Sequence, residues 1–274
     1  MRNRPNIKKE NTRLKKIAKE IRLRVLETVT RSNGPHIGSS LSAVEILTSL
    51  YFGIMKVNPN NPNRDRFILS KGHAAAVLYA TLAERGLFNK KDLKNYCKNE
   101  SNLPGHSTKN CVPGVEVSAG SLGHGLPIGN GMALAGKKDK KNYRIFVLLS
   151  DGECDEGSTW EAILFAGHHK LDNLVAIVDY NKWQSFGRTK DVLDLEPFAQ
   201  KWRDFKWGVK SVDGHDLEEL VAAFKRVPFS KNKPSVIIAN TIKGRGLPAM
   251  ENTLESHYRS PTGEEFEAAV RRLK

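Results

Sequence analysis

Short apolar runs alternate with longer segments of helical spacing along most of this chain, and this alternation constrains its fold more than any other feature. The predicted buried strands are residues 66–69, 144–149, 174–178, 208–212 and 235–240. The predicted covering helices are residues 42–52, 74–84, 126–135, 158–169 and 217–225. Strands that alternate with helices are typical of a parallel sheet covered by helices. We therefore predict an α/β protein with a doubly wound, mostly parallel sheet and helices on both faces.

The chain of 274 residues is long enough to bury one sizeable core and contains no linker of low hydrophobicity. We therefore predict a single domain over residues 1–274. No apolar run approaches the roughly 18 residues that a membrane span needs, and the N-terminus lacks the apolar core of a signal peptide. We expect a cytoplasmic protein that does not insert into membranes. The three cysteines, Cys97, Cys111 and Cys154, lack the spacing of a metal site and are expected to be reduced thiols.

The formal net charge of +14 raises the question of nucleic-acid binding, because clustered Lys and Arg bind phosphate backbones. Residues 1–24 alone hold ten Lys or Arg and two Glu. Apolar residues in this region, including Leu14, Ile21 and Val25, follow helical spacing. We predict an amphipathic helix at about residues 7–31 with a solvated basic face, and rank this above nucleic-acid binding. A third possibility is that the basic surface meets an acidic protein partner.

Polar residues follow the predicted strands at the points where ligands bind in open α/β sheets. Asp151 and Gly152 follow the second strand, and Asn181 follows the third, thirty residues after Asp151. A carboxylate and a carboxamide at neighbouring strand ends suit Mg²⁺ or Ca²⁺ shared with phosphate oxygens, and Gly152 would let a diphosphate approach the backbone. The same residues are common in ordinary turns, and this motif alone leaves both interpretations open. The Gly-rich loop over residues 99–125 is long enough to suggest a functional role.

Five sequence blocks stand out along the chain: HIGSSLS (36–42), RFILSKGHAAAVLYA (66–80), PGVEVSAGSLGHGLPIGNGMAL (113–134), SDGECDEGSTWEA (150–162) and LDNLVAIVDYNKWQSFG (171–187). In this order they resemble the N-terminal half of transketolase, a thiamine diphosphate enzyme. The thiamine diphosphate signature is Gly-Asp-Gly followed about thirty residues later by Asn, and here Ser150 replaces the first glycine. The resemblance implies the thiamine diphosphate-binding fold over nearly the whole chain.

The same resemblance implies which residues hold the cofactor and its metal ion, expected to be Mg²⁺, with Ca²⁺ or Mn²⁺ as alternatives. The implied metal ligands are Asp151, the side chain of Asn181 and the main-chain carbonyl of Trp183. The implied thiamine diphosphate contacts are Gly120, Leu122, Gly152, Asn181, His73 and His257. Lys243 and Arg245 either contact phosphate or belong to a solvated loop.

Four histidines match family positions around the reactive carbon, where they contact sugar hydroxyls and cofactor phosphate and help to move protons. They are His36, His73, His106 and His257. An ordinary histidine pKa near 6.5 suits proton transfer close to neutral pH. Glu156 matches an acid that lies at the centre of the family's dimer and links its two cofactors. These five residues are the implied catalytic set.

The matching half lacks the family's pyrimidine-binding domain, which supplies a catalytic glutamate and most of the arginines that hold sugar phosphates. The start at Met1 and the end shortly after the family's first domain favour a two-chain enzyme over a fragment. We expect the partner to be a C-terminal transketolase subunit, in an α2β2 heterotetramer. The implied reaction is ketol transfer from a ketose phosphate to an aldose phosphate, in the pentose phosphate pathway or on a specialised sugar. The alternatives are an α-like subunit of a thiamine-dependent 2-oxo acid dehydrogenase and a non-catalytic nucleic-acid-binding protein.

Overall fold

A computed structural model describes residues 4–273 of the chain, with side chains from residue 9 onward. Its five strands are β1 (Arg66–Leu69), β2 (Ile145–Ser150), β3 (Leu174–Tyr180), β4 (Gly208–Asp213) and β5 (Ser235–Asn240). They form one sheet in the order β1-β2-β3-β5-β4, and every neighbouring pair is parallel. The predicted mostly parallel sheet is confirmed, and within residues 4–273 it is parallel throughout.

Helices cover both faces of this sheet. They are α1 (Arg4–Ser32), α2 (Ile37–Ser42), α3 (Val44–Ser49), α4 (Ala75–Glu84), α5 (Gly125–Lys138), α6 (Gly157–His168), α7 (Thr189–Val192), α8 (Phe198–Asp204), α9 (Leu217–Lys225), α10 (Glu255–Tyr258) and α11 (Gly263–Leu273). Successive strand side chains point to opposite faces. Phe146 and Leu148 of β2 join a core with residues of α1, α3, α4 and α9, whereas Val147 and Leu149 join a second core with residues of α5, α6 and α8. The predicted doubly wound arrangement is therefore confirmed.

The N-terminal helix predicted at about residues 7–31 is α1, and it is amphipathic as expected. Leu14, Ile21 and Val25 are buried, while Lys15 and Lys16 are exposed. Its buried face packs on α3 and α4. The basic residues of this helix therefore contribute a charged outer surface.

One predicted helix is wrong in its bounds. The sequence predicts a single helix over residues 42–52, but α2 ends at Ser42, α3 covers Val44–Ser49, and a π-helical segment follows over Leu50–Ile54. Every residue of α2 is buried, so this helix has no amphipathic periodicity by which the sequence could reveal it. Its early start places His36 at the helix N-terminus.

Two simpler expectations concern membranes and thiols. Within residues 4–273, the structure has no helix both long and apolar enough to cross a membrane. Cys97, Cys111 and Cys154 are all free thiols, and Cys154 is buried. The prediction of unpaired cysteines is therefore confirmed.

Candidate functional site

The loops that follow β2 and β3 meet at the carboxyl edge of the sheet. Ser150 and Asp179 are register partners in the two strands, so Asp151 and Asn181 follow them on the same side. The backbone N–H of Lys182 donates to Asp151 Oδ2 over 2.6 Å, and Thr189 Oγ1 donates to the same oxygen over 3.1 Å. The Asp-Gly loop and the Asn loop are thus brought together as the sequence predicts.

These loops border a cleft of about 410 Å³. Of the eleven predicted site residues, ten line it: His36, His73, His106, Gly120, Leu122, Gly152, Glu156, Asn181, Trp183 and His257. Asp151 is the exception because it is fully buried. It contacts the cleft-lining loop after β3, where the N–H of Lys182 donates to it. Glu156 is exposed and lies at the N-terminus of α6.

Four histidine rings cluster on one side of the cleft, around His36. Its ring centroid lies 5.3 Å from that of His73, 5.5 Å from that of His106 and 4.8 Å from that of His257. The rings of His73 and His257 are 5.6 Å apart. Residues from four distant parts of the chain therefore form one imidazole group.

The backbone of His36 is held in an uncommon conformation. Its φ of 68° lies in the left-handed region, which costs free energy for a residue other than glycine. Its N–H donates to the carbonyl oxygen of His257 over 2.9 Å. This bond compensates part of that cost and fixes the direction in which the His36 ring leaves the backbone.

His106 is positioned by the long loop over residues 99–125. The N–H of Ala119 donates to the carbonyl of Ser107 over 2.8 Å, and that of Ser107 donates to the carbonyl of Gly72 over 3.4 Å. A Cβ atom on Gly72 would lie 2.8 Å from the backbone nitrogen of Gly120, so the two loops touch through backbone. The loop is therefore seated against the end of β1, as its functional interpretation requires.

The surroundings of the histidine rings favour their neutral form. Burial, followed by the neighbouring His106 and Lys243, lowers the pKa of His36 to about 4. Burial, followed by Lys243 and His36, lowers the pKa of His257 to about 3. Burial and the charge of Lys71 bring the pKa of His73 well below its ordinary value. These three rings are therefore neutral at pH 7, each with one donor and one acceptor nitrogen.

Asp151 is the carboxylate that the sequence predicts as a metal ligand. Burial, reinforced by the charge of Asp179, raises the pKa of Asp151 to about 7, against the effect of its hydrogen-bond donors. Oδ1 accepts only the Gly152 N–H, over 2.9 Å, among described groups, so this oxygen keeps acceptor capacity. Asn181 Oδ1 accepts the N–H of Trp183 over 3.0 Å, which turns the loop beside it.

The oxygen atoms of Asp151, Asn181 and Trp183 suit a hard divalent cation such as Mg²⁺. Such an ion needs few protein ligands when phosphate oxygens also bind it. Among the described residues there is no group of three His, Cys, Asp or Glu side chains able to hold a metal. The candidate set instead combines one carboxylate, one carboxamide and one carbonyl. A site of this composition depends on ligand oxygens from the cofactor.

Other groups at the cleft are available to a bound ligand. A Cβ atom on Gly152 would come within 2.9 Å of Gln184 Cγ, so any other residue here would have to displace the Gln184 side chain, which also lines the cleft. His257 Nδ1 and Asp155 Oδ1 are buried and have no hydrogen-bond partner in the protein. Both residues line the cleft. Unsatisfied polar atoms in this position are expected where a bound ligand supplies the partner.

Two buried lysines were not identified correctly from the sequence. Lys71 is fully buried and forms an ion pair with Asp179, which also accepts hydrogen bonds from Ser42 and Thr241. Lys243 is fully buried as well, and burial lowers its pKa to about 8. The alternative that Lys243 belongs to a solvated loop is therefore wrong. Lys243 Nζ donates to the carbonyl of Gln184 over 3.2 Å. No local pattern in the sequence distinguishes these lysines from the many surface ones.

A parallel sheet with this cleft at its carboxyl edge defines an α/β protein of the thiamine diphosphate-binding class, as comparisons with known proteins show. Residues 13–273 match the family described as "Transketolase, thiamine diphosphate binding domain". The chain therefore belongs to the transketolase family, in its thiamine diphosphate-binding domain. The predicted family and fold class are confirmed.

Some relatives have nearly the same length as this chain, whereas others are longer and match it over only part of their length. It is 45% identical over 267 residues to an apulose-4-phosphate transketolase subunit of Actinobacillus succinogenes, covering 95% of this chain and 96% of the relative. It is 43% identical over 260 residues to a 6-deoxy-6-sulfo-D-fructose transketolase subunit of Clostridium sp., covering 94% of each. The crystal structure of Campylobacter jejuni transketolase superposes with a TM-score of 0.87 at 32% identity. That superposition covers 95% of this chain but 42% of the Campylobacter chain.

Proposed function

We propose that this chain is the cofactor-binding subunit of a two-subunit transketolase, which transfers a two-carbon ketol unit from a ketose to an aldose. The observation that carries the proposal is the meeting of the four-histidine cluster with the Asp151 and Asn181 loops in one cleft. Family membership favours ketol transfer over the decarboxylation carried out by 2-oxo acid dehydrogenases. It also favours contact with a protein partner over nucleic-acid binding as the role of the basic α1 surface.

Thiamine diphosphate is the cofactor, and the cleft residues have distinct roles in holding it. Asp151, the Asn181 side chain and the Trp183 carbonyl would bind Mg²⁺, with Ca²⁺ or Mn²⁺ as alternatives. Contacts to the cofactor itself are assigned to Gly120, Leu122, Gly152, Asn181, His73 and His257. When bound, the cofactor supplies the electron sink for breaking and forming the carbon–carbon bond. The protein orients it and excludes water.

The histidines are assigned to the sugar side of the cleft. As neutral rings, His36, His73 and His257 present both donors and acceptors to hydroxyl groups. Their low pKa values make these rings weaker bases than an ordinary histidine, so in this proposal they bind the hydroxyls as neutral hydrogen-bond partners and hold a transferred proton only transiently. His106, the most exposed of the four, is assigned to hydroxyl binding at the cleft mouth.

A separate subunit is proposed to supply the pyrimidine-binding half of the active site. Relatives of nearly the same length are named as subunits, whereas this chain spans about two fifths (42%) of the solved Campylobacter transketolase. Apolar side chains at the cleft support this, since Phe186 and Val192 line it and are 81% and 41% exposed, and Leu193, next to Val192 in the chain, is also exposed. Exposed apolar clusters of this kind mark contact surfaces. The assembly proposed is α2β2, with Glu156 at its centre and the active sites shared between subunits.

The substrates proposed are a ketose donor and an aldose acceptor, with phosphate on at least one of them. The names of the relatives point to specialised sugars, apulose 4-phosphate and 6-deoxy-6-sulfo-D-fructose, as alternatives to pentose phosphate pathway sugars. A cytoplasmic location belongs to the same proposal, because the three free thiols suit a reducing compartment.

Reconstitution tests the proposed function. The chain is mixed with the product of the neighbouring transketolase-like reading frame, thiamine diphosphate and Mg²⁺, and ketol transfer is followed with each candidate donor and acceptor. We expect turnover only in the mixture. Enzyme-like turnover by this chain alone would refute the two-subunit proposal, and decarboxylation of 2-oxo acids without ketol transfer would refute the assigned reaction.

A further inference from the structure

Glu153 is a fully buried carboxylate to which the proposed mechanism gives no role. It accepts hydrogen bonds from three loops at the carboxyl edge of the sheet. Oε1 accepts from Ser70 Oγ and, over 3.0 Å, from the N–H of Gly123, while Oε2 accepts from the N–H of Ser150 over 3.4 Å. Its side chain therefore joins the ends of β1 and β2 to the loop before α5.

The two loops joined by Glu153 carry the proposed cofactor contacts. Gly123 directly follows Leu122, and Ser150 directly precedes Asp151 and Gly152. We propose that Glu153 is a positioning residue, whose carboxylate fixes the Gly120–Leu122 backbone relative to the Asp151–Gly152 loop so that both contact one thiamine diphosphate. This inference rests on the proposed function.

The surrounding contacts show how closely the loop before α5 is held. Ser70 Oγ, itself bound to Glu153, accepts the N–H of Gly125 over 3.1 Å. Ser158 Oγ donates to the carbonyl of Gly123 over 2.9 Å. Gly123 has a φ of 80°, and a Cβ atom there would lie 2.9 Å from Glu156 Cβ. Glu153 is thus the central acceptor of a loop that has little room to adopt another position.

A carboxyl group suits this junction because Ser70, Gly123 and Ser150 all donate to it, and its two oxygens offer acceptors on both sides. Glutamine keeps one acceptor oxygen for Ser70 and Gly123 and turns its NH₂ group toward the N–H of Ser150, the longest of the three contacts. Alanine removes all three acceptors and leaves buried donors unpaired. Aspartate keeps the charge but is one methylene shorter, so it cannot reach both sides. These variants therefore separate the connection from the charge.

A matched control is available at the opposite edge of the sheet. Asp65 is also a buried carboxylate that joins separate segments, accepting from the N–H of Lys56 over 3.1 Å, from the N–H of Arg144 over 2.9 Å and from the Arg144 guanidinium over 2.7 Å. It precedes β1 and lies away from the cleft. Asp65→Asn therefore weakens a comparable buried network without touching the proposed cofactor loops.

The test uses the reconstituted complex and two readouts. The first is hydrogen exchange of the backbone over residues 119–125 without cofactor, and the second is the Kd for thiamine diphosphate at saturating Mg²⁺. For Glu153→Ala we expect faster exchange and a Kd raised about ten-fold or more, as for losses of groups that orient ligand-binding residues. Glu153→Gln is expected to stay within about three-fold of wild type, because it retains the acceptor for Gly123. Asp65→Asn is expected to lower Tm without changing either readout.

Each outcome of this test has a defined meaning. If Glu153→Ala does not fold, Glu153→Asp takes its place with the same expected direction. Unchanged exchange and an unchanged Kd in the folded variant would overturn the positioning role. So would an equal rise in Kd for Asp65→Asn, because the effect would then reflect general stability. Failure of the wild-type complex to bind thiamine diphosphate would instead refute the proposed function, while the exchange comparison would still test the connection between the loops.

Discussion

The backbone N–H of His36 donates to the carbonyl of His257, and the two rings meet edge to face with centroids 4.8 Å apart. A second backbone bond, from the N–H of Gly244 to the carbonyl of Gly38 over 3.0 Å, joins the same two segments. The segment after β5 is thereby held against the start of α2. This connection explains how residues far apart in the chain present their side chains to one cleft.

Loss of a cluster histidine is expected to reduce turnover more than stability. Replacing His36 with Asn keeps a short polar side chain that tolerates the left-handed backbone conformation. We expect kcat for ketol transfer in the reconstituted enzyme to fall by about 10²-fold or more, in the range of acid–base contributions. His169→Asn, at an exposed histidine at the end of α6, is the control and should retain activity. A wild-type rate in His36→Asn would exclude a catalytic role for this ring.

The low pKa of His257 predicts a pH dependence of stability. Burial, followed by the nearby Lys243, His36 and Lys71, lowers its pKa to about 3, and the His73 ring also lies against it. Above pH 6.5 the ring is neutral in both the folded and the unfolded chain. Between pH 6.5 and about 3, only the unfolded chain binds the proton, so the free energy of unfolding decreases as pH falls.

His257→Asn should remove this contribution. Comparing the free energy of unfolding at pH 6.5 and 4.5, we expect the loss to be about 1 kcal/mol smaller in the variant, after allowing for partial exposure of the ring. The measurement is urea denaturation of both proteins at the two pH values. An equal loss in both proteins would show that His257 titrates normally in the folded state.

Gly38 predicts a steric test of the contact between α2 and the segment after β5. A Cβ atom at Gly38 would lie 2.8 Å from Ser256 Cβ and 2.9 Å from Lys243 Cγ, both on that segment. Gly38→Ala is expected to destabilise the chain by about 1–3 kcal/mol through overpacking. In Gly131→Ala, on α5, nothing lies within 4 Å of the new Cβ, so helix propensity should stabilise the chain by up to about 1 kcal/mol. The measurement is thermal unfolding of both variants. A higher Tm for Gly38→Ala than for Gly131→Ala would contradict this account.

The exposed Phe186 predicts where the proposed partner binds. Phe186→Ser should leave the Tm of the isolated chain nearly unchanged, because its side chain is mostly in water. It should weaken association with the partner by about ten-fold, since exposed aromatic residues are frequent hot spots. Lys210→Ser, at an exposed position on the edge strand β4, is the control. Equal affinity of both variants, measured by calorimetry or sedimentation, would place the interface elsewhere.

The order of elements was predictable because the strands are buried apolar runs with polar residues at their ends. The predicted bounds of β1 agree with the structure, and β3 extends two residues further, to Tyr180. His73, Gly152 and Asn181 could be expected near the cleft because they follow strands, whereas the other lining residues were predicted from the family resemblance. The family was recognisable because Asp151, Asn181 and the histidines stand in the family's order of blocks, and the comparisons confirm it.

The buried charges were not predictable from local sequence. Lys71 and Asp179 lie far apart in the chain, and their burial depends on each other, because each would be costly to bury alone. The same holds for Glu153, whose partners come from three loops. Such groups come together only when the strands assemble at the edge of the sheet. Sequence periodicity shows which apolar residues are buried, but it does not identify buried charged residues.

The most direct test of the central claim is isothermal titration of thiamine diphosphate with Mg²⁺ into this chain mixed with its proposed partner, with Asp151→Ala in parallel. We predict saturable binding in the wild-type mixture, much weaker binding by the chain alone, and loss of binding in Asp151→Ala, because Asp151 is the only carboxylate assigned to the metal. Absence of binding in the wild-type mixture, or equal binding by Asp151→Ala, would contradict the assignment of this cleft as the cofactor site.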